Sequence, residues 1–253
     1  MTGGVAPSQK GTDNMSHEVK IHDAQTSILR ELLFHKSAGF AQLQKKTNLA
    51  SDHFNFHIKK LLELGLVEKL EKGHYCLSPR GKEHANKLDT DNNTIERQPK
   101  CAVIIAVEKM INGRRHLLMH QRTKHPYFEF WGFPTGKIRW GETIMQTAAR
   151  ELEEETGLSA EFRIAGVYHE HVSSKENDEF LEDKLFFVMH GINPTGELIA
   201  EFEGGRNVWM QPSEVKKLEK KYDSVDIELG FIDKPDHPDL FIERHYKYSK
   251  QQF

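Results

Sequence analysis

In the first third of the chain, apolar positions recur at helical spacing. Ile21, Ala24, Ile28, Leu32 and Leu33 lie mostly three or four residues apart, which predicts an amphipathic helix punctuated by Gly39. Phe40 and Leu43 open a short second helix, turned at Thr47-Asn48. Ser51 is the expected N-cap of a third helix, which carries Phe54, Ile58, Leu61 and Leu62 on one side and ends at Gly65. Leu66 to Leu70 and His74 to Leu77 alternate as two strands around a Lys72-Gly73 turn. Ser78 followed by Pro79 starts a last helix running towards Leu88. Asp89 to Lys100 (DTDNNTIERQPK) is polar, contains Pro99, and reads as a linker.

Beyond the linker the pattern alternates strand and helix. Cys101 to Val107 is a β-branched run, and His116 to Gln121 is expected to pair with it across Asn112-Gly113. A strong helix follows from about Thr143 to Thr156. Val167 to His171, Leu185 to His190 and Asn207 to Met210 are further expected strands, and Ser213 is expected to cap a helix carrying Val215 and Leu218. Phe241 to Tyr248 alternates aromatic and charged residues, as an edge strand or a dimer contact would.

The N-terminal order of helix, helix–turn–helix, hairpin and helix resembles the winged helix-turn-helix of bacterial transcription regulators over residues 17–90. That resemblance makes the third helix the reader of DNA, with His53, Asn55, Lys59 and Lys60 on its polar side. Lys69, Lys72 and His74 would lie on the wing. Residues 17–90 hold 12 Lys/Arg and 9 Asp/Glu, a net of +3 in a chain whose total is -3. The sign suits nucleic acid and the size is small. An ordinary solvated face, or a module that docks on protein, carries the same charges. His53, His57, His74 and Cys76 offer four zinc-ligating groups, but without the C-x-x-C spacing that marks a finger.

The segment richest in chemistry is GKIRWGETIMQTAARELEEETGL, Gly136 to Leu158. At 100° per residue, Glu151, Glu154 and Glu155 fall within about a 100° arc of a helix. Met145, Ala148, Ala149 and Leu152 occupy the adjoining sector, which is expected to pack on a sheet. Three carboxylates that close repel one another, and a hard divalent cation removes the conflict. Gly136 lets the loop backbone approach, Arg150 can orient a carboxylate, and Glu142 suits the helix start. A Glu-rich surface helix laced with salt bridges would show the carboxylates, but not the fixed glycine, arginine and aliphatic positions.

Those fixed points, Gly136, Glu142, Arg150, Glu151, Leu152, Glu154, Glu155, Gly157 and Leu158, are similar to the Nudix box, G-x5-E-x7-R-E-U-x-E-E-x-G-U, at every position. The resemblance implies a Nudix α/β/α sandwich with a mixed sheet over residues 100–253. It also implies hydrolysis of a nucleoside diphosphate linked to another moiety. Mg²⁺ is the implied cofactor, with Mn²⁺ as substitute, held by Gly136, Glu151, Glu154 and Glu155. Arg150 would act beside them, and Glu203 in the loop before Trp209 is the candidate general base. Arg122 and Trp131 are the candidate substrate contacts, with Phe128 and Phe130 as further stacking rings or core. Subfamily signals past the box are missing. Ser173 stands near the position where ADP-ribose enzymes of the family often carry proline, and Ser174 to Glu176 near the tyrosine of dinucleoside-polyphosphate enzymes. Thr135 replaces the glycine that often precedes Gly136.

Composition narrows the classes. The chain has 253 residues, 37% hydrophobic and 29% charged, enough for a packed core in an α+β protein of two domains. Two cysteines, Cys76 and Cys101, exclude a disulfide framework and suit a reducing, cytoplasmic compartment. No apolar run is long enough to span a bilayer, so membrane is not among the expected partners. Residues 1–16 read as a disordered tail, 17–90 as the winged helix, 91–99 as linker and 100–253 as the hydrolase domain. The expected partners are the nucleotide substrate, DNA through the winged helix, and a second copy as homodimer. The alternative is a transcription regulator whose C-terminal domain senses a nucleotide metabolite of the ADP-ribose type.

Overall fold

The computed structural model describes residues 21–89, 94–95, 97–234 and 240–253. The expected tail, residues 1–16, lies outside them. The chain divides into two compact units between Arg97 and Gln98.

The first unit runs α1 (Asp23–Leu33), β1 (Ala38–Gly39), α2 (Phe40–Thr47), α3 (Ser51–Glu63), β2 (Val67–Lys69), β3 (His74–Leu77) and α4 (Pro79–Ala85). β1, β3 and β2 form a small antiparallel sheet in that order. The helical stripes converge on one core of Ile28, Leu29, Leu32, Leu43, Phe54, Ile58 and Leu61, closed by Leu66 and Leu77. Ser78 caps α4 as its spacing predicts, with its hydroxyl accepting from Gly81 N at 2.9 Å and donating to Gly65 O at 2.6 Å. Ser51 does not cap α3. Ala50 holds that position without a side-chain bond, and the Ser51 hydroxyl instead accepts from Gln44 Nε2 at 3.1 Å. α4 stops at Ala85, short of Leu88. Two short strands, β4 (Leu88–Asp89) and β5 (Thr94–Ile95), pair within the polar stretch that reads as a linker.

The second unit is an α/β fold with a mixed sheet. Its elements are β6 (Lys100–Ile111), β7 (Arg114–Arg122), β8 (Trp131–Gly132), β9 (Thr135–Lys137), α5 (Ile144–Thr156), β10 (Leu158–Ser174) and β11 (Phe180–Gly196). β12 (Glu201–Phe202), β13 (Gly205–Met210), α6 (Pro212–Val215), α7 (Val225–Asp233) and β14 (Phe241–Tyr248) complete it. The strand order is β12-β13-β7-β6-β11-β10-β14, with β8 on β7 and β9 on β6. β6/β11 and β10/β14 are parallel and the other pairs antiparallel.

β6 shows why a layer is needed on each side. Val103, Ile105 and Val107 face the cluster that contains Ala148 and Leu152 of α5, while Ala102, Ile104 and Ala106 face the one that contains Leu229, Phe231 and Ile232 of α7. A strand buried on both faces reads as a continuous apolar run instead of an alternation.

The structure departs from the sequence pattern at the hairpin, at Ser213 and on α5. The Asn112-Gly113 hairpin pairs Glu108 to Ile111 with Arg114 to Leu117, whereas Cys101 to Val107 run parallel to Leu185 to Gly191. Ser213 lies inside α6, which Gln211 caps. On α5 the buried stripe is Thr147, Ala148, Leu152 and Thr156, and Met145 and Ala149 are exposed.

Under α7 the core holds carboxyl groups. Glu228 is 4% exposed and Glu170 9%. Burial pushes their pKa values up, to about 8 for Glu228 and about 7 for Glu170, whose carboxylate accepts from the Tyr168 hydroxyl at 3.2 Å. A folded pKa above the ordinary value of 4.5 means that the folded state keeps a proton which the unfolded chain has released. The stability held by protonated Glu228 is therefore complete below about 4.5 and lost as pH rises through about 8. Glu228→Gln should escape that loss. Its urea midpoint relative to wild type should rise between acid and mildly alkaline pH, and a pH-independent difference would refute the buried-proton account.

Candidate active site

The segment around α5 is built backbone first. Thr143 caps the helix in a reciprocal box with Gln146: the Gln146 N–H donates to Thr143 Oγ1 at 3.2 Å, and the Thr143 N–H donates to Gln146 Oε1 at 2.9 Å. Gly157 closes the helix at φ 70°, the left-handed C-cap conformation that glycine adopts at least cost. The Asn207 side chain of β13 donates to Glu155 O at 2.8 Å and to Ile199 O at 2.9 Å, tying the helix end to β13 and to the segment between β11 and β12.

Arg150 organises the carboxylates. Its Nε and Nη2 grip Glu142 Oε1 and Oε2 at 2.6 and 2.8 Å. Its Nη1 donates to Glu151 Oε1 at 2.7 Å and Glu154 Oε2 at 3.1 Å, and its Nη2 also reaches Lys137 O at 3.2 Å. This fork holds the Glu142 carboxyl at about 2, helped by Thr147 Oγ1 at 2.9 Å and Arg139 N at 3.2 Å. Arg139 adds a second cation to Glu154 at 3.3 Å.

Glu155 is different. Among the described residues no hydrogen-bond donor is set against its carboxylate. Burial first, and then the Glu151 charge, push its pKa up to about 7, against the pull of Lys124 and Arg122. Gly136 of β9 faces Glu151: a Cβ there would stand 1.9 Å from Glu151 Cγ and 2.3 Å from Cδ. The glycine thus admits the Glu151 side chain against the strand backbone. The structure therefore brings together Gly136, Glu142, Arg150, Glu151 and Glu154, with Glu155 alongside.

The other candidates are placed elsewhere or engaged otherwise. Glu203 is exposed on the β12–β13 turn, where its carbonyl accepts from Thr123 Oγ1 at 3.3 Å. Among the described residues no hydrogen bond or ion pair joins its side chain to the α5 carboxylates. The Arg122 guanidinium fastens the following loop, donating to Lys124 O at 2.9 Å, Pro126 O at 2.6 Å and His125 O at 3.3 Å. Trp131 is 7% exposed in the core beneath Arg206, whose guanidinium lies 5.1 Å from the ring. Phe130 is buried, and Phe128 is exposed and stacked on His125. No sequence pattern points to Lys124, in the loop after β7, yet its charge acts on Glu155.

In the first unit His53, Asn55, Lys59 and Lys60 are all exposed on α3, with Lys60 paired to Glu63 at 3.2 Å. The structure does not gather His53, His57, His74 and Cys76 into a group of metal-ligating atoms, and the His57 ring lies 4.6 Å from that of His22, tilted by 33°.

The family model for the NUDIX domain matches residues 100–229. An ADP-ribose pyrophosphatase of Methanocaldococcus jannaschii is 26% identical over 95 residues, covering 37% of this chain and 56% of that protein. An 8-oxo-dGDP phosphatase of Mus musculus is 37% identical over 65 residues, covering 26% of this chain and 20% of that protein. The chain thus spans about half of the first relative and a fifth of the second. Among solved structures, the NUDIX domain of Shewanella oneidensis NrtR with ADP ribose is 15% identical, with a TM-score of 0.48 over 62% of this chain and 99% of that one. A MutT protein of Bacillus halodurans is 20% identical, with a TM-score of 0.45 over 61% and 93%.

The Gly136–Glu151 packing can be tested on stability alone. Gly136→Ala should cost about 1–3 kcal/mol, the usual penalty of forcing a methyl into filled space. Adding Glu151→Ala should recover most of it, because the clash is with that side chain. Additive losses in chemical denaturation would show that the two residues do not share the space.

Proposed function

The chain belongs to the NUDIX domain family, and from that premise we propose that it is a divalent-cation-dependent pyrophosphohydrolase. Its substrate would be a nucleoside diphosphate linked to a second moiety, and its products a nucleoside monophosphate and a phosphorylated remainder. The observation that carries this reading is the carboxylate group on α5. Glu151 packs on the Gly136 backbone, the Glu151 and Glu154 charges both act on Glu155, and Glu155 has its pKa raised to about 7 with no hydrogen-bond donor set against it among the described residues. Such a donor set of carboxylate oxygens fits a hard cation, Mg²⁺ first and Mn²⁺ in its place.

Gly136, through its carbonyl, and Glu151, Glu154 and Glu155 would hold the metal. When bound, it supplies charge neutralisation at the phosphate oxygens and acidity to a water ligand. The protein's own part is orientation. Arg150 fixes Glu151 and Glu154, Glu142 fixes Arg150, and Arg139 steadies Glu154 from the loop side. Lys124 and Arg122 bring positive charge to bear on Glu155, and a polyphosphate arriving there meets the same field. Glu203, on the β12–β13 turn, stays the candidate general base. The names of the archaeal and mouse relatives support a nucleoside diphosphate derivative, with ADP-ribose at the head of the panel.

We read the first unit as a winged helix-turn-helix. The support is its element order, the β1-β3-β2 sheet behind α2 and α3, and four polar residues exposed on α3. DNA is its proposed partner. This pairing also favours the second reading, a regulator whose Nudix domain senses a nucleotide metabolite. No helix among the described residues is long and apolar enough to cross a membrane.

The deciding assay is nucleoside monophosphate or phosphate release with Mg²⁺ and with Mn²⁺. The panel holds ADP-ribose, NADH, nucleotide sugars, dinucleoside polyphosphates and nucleoside triphosphates. Turnover of one compound, reduced by about 10²-fold or more in Glu154→Gln, is the expected result. Tight binding without turnover would replace the enzyme by the sensor, and full activity in Glu154→Gln would remove the site. Separately, Lys59→Ala with Lys60→Ala should weaken DNA binding and flatten its log–log salt slope by about 2, one for each lost phosphate contact. Salt-independent or absent binding by the unchanged protein would refute the reader helix.

A further inference from the structure

On the outer strands of the second unit, imidazoles and carboxylates meet on one face of the sheet. His169 and His171 are two residues apart on β10, so both project to the same side. The register sets Asp183 of β11 opposite His171, and Glu243 of β14 opposite His169. One ligand atom from each of His169, His171 and Asp183 falls within 4.8 Å of the other two. His169 Nε2 lies 2.8 Å from Asp183 Oδ1, and His171 Nε2 lies 3.7 Å from the same oxygen. These spacings bracket the roughly 3.3 Å between neighbouring donors that a tetrahedral zinc with about 2.0 Å bonds requires. The side chains are 19%, 30% and 31% exposed, so an ion can enter without rearrangement of the core.

A second observation points the same way. His169 uses its other ring nitrogen, Nδ1, on Glu243 Oε2 at 2.7 Å. A histidine that ligates a metal through one nitrogen usually donates its other N–H to a carboxylate, which fixes the ring and raises the basicity of the ligating nitrogen. Glu243 stands in that place, supplied by a different strand from the other three groups. His171 is braced edge-on by His169 at 4.3 Å between ring centroids and by Phe180 at 5.4 Å.

We propose that His169, His171 and Asp183 form a binding site for a borderline transition-metal cation of the Zn²⁺ class, oriented by Glu243 and separate from the α5 carboxylates. Two imidazoles and one carboxylate favour Zn²⁺ or Co²⁺ over Mg²⁺, which takes oxygen donors. Three protein ligands leave the fourth position to water or an external donor. The ion links β10 to β11 directly, and to the edge strand β14 through Glu243, so its binding stabilises the folded unit by mass action. The inference is independent of whether α5 carries out hydrolysis.

The test uses the full chain saturated with Mg²⁺, so that the α5 carboxylates are occupied. Co²⁺ titration should produce the intense visible bands of a low-coordinate ion, and Zn²⁺ should abolish them and raise the melting temperature. His171→Ala or Asp183→Ala should eliminate the bands, while Glu243→Gln should weaken binding by about 10- to 100-fold. Glu154→Gln should leave the titration unchanged. Absence of the bands in the unchanged protein overturns the proposal without recourse to any variant. Bands that survive in His169→Ala with His171→Ala, or that vanish in Glu154→Gln, overturn it as well.

Discussion

One guanidinium holds the α5 site in shape. Arg150 serves four carboxylate oxygens on three residues and one backbone carbonyl while remaining only 15% exposed. Without it, Glu142, Glu151 and Glu154 would be like charges close together with no shared cation between them, and mutual repulsion would turn the side chains apart. With it, Glu142 is held far into the ionised range, and Glu151 and Glu154 are fixed in direction. A fork of five donors in a plane can do this, whereas the point charge of a lysine cannot match two oxygens of one carboxylate while reaching two more. The fixed spacing of Glu142, Arg150, Glu151 and Glu154 is the sequence record of that geometry.

The fork can work only because α5 cannot move. Ala148 and Leu152 are completely buried against Val103, Ile105 and Leu118, and Asn207 ties the last turn to the sheet. Gly136 belongs to the same constraint, since any larger residue in β9 would push the Glu151 side chain off the strand. The sheet therefore sets the helix, the helix sets Arg150, and Arg150 sets the carboxylates. Glu155, which Arg150 does not reach, is left as the group with the strongest unmet demand for a cation.

How much of this was legible depends on how local the determinant is. The α5 segment was readable because its spacing lies within one helix and one turn, where 100° per residue converts sequence directly into geometry. The buried faces of α1 and α3 were readable for the same reason. Caps were less so. Ser78 works because Pro79 fixes the backbone after it, but Ser51 and Ser213 fall one or two positions inside their helices. There the chain path, set by packing, decides which residue flanks the first turn. The strands expected at 167–171 and 185–190 are the alternating centres of two strands of 17 residues each, extended at both ends by pairing that no local pattern announces. α7 was missed because Val225, Leu229, Phe231 and Ile232 share a helix with a buried glutamate, which breaks the apolar stripe.

The histidine cluster lies at the far end of that scale. The alternation of His169 and His171 is visible in the chain, but a His-x-His strand has many uses. The meaning comes from Asp183 and Glu243, which reach it only through one antiparallel and one parallel register, separated from it by 12 and 74 residues of sequence. A shift of one residue in either pairing would turn the carboxylate to the opposite face of the sheet. The other face of the same strands is core: Tyr168 of β10 is fully buried and stacks on Phe186 of β11, and Ile242 and Tyr246 of β14 pack on the same cluster. The packing that makes the core of the second unit thus also determines which charged groups meet on its outer face. Carboxylates gather on the helix and imidazoles on the strands, and this difference in donor softness is what separates the two proposed cation sites.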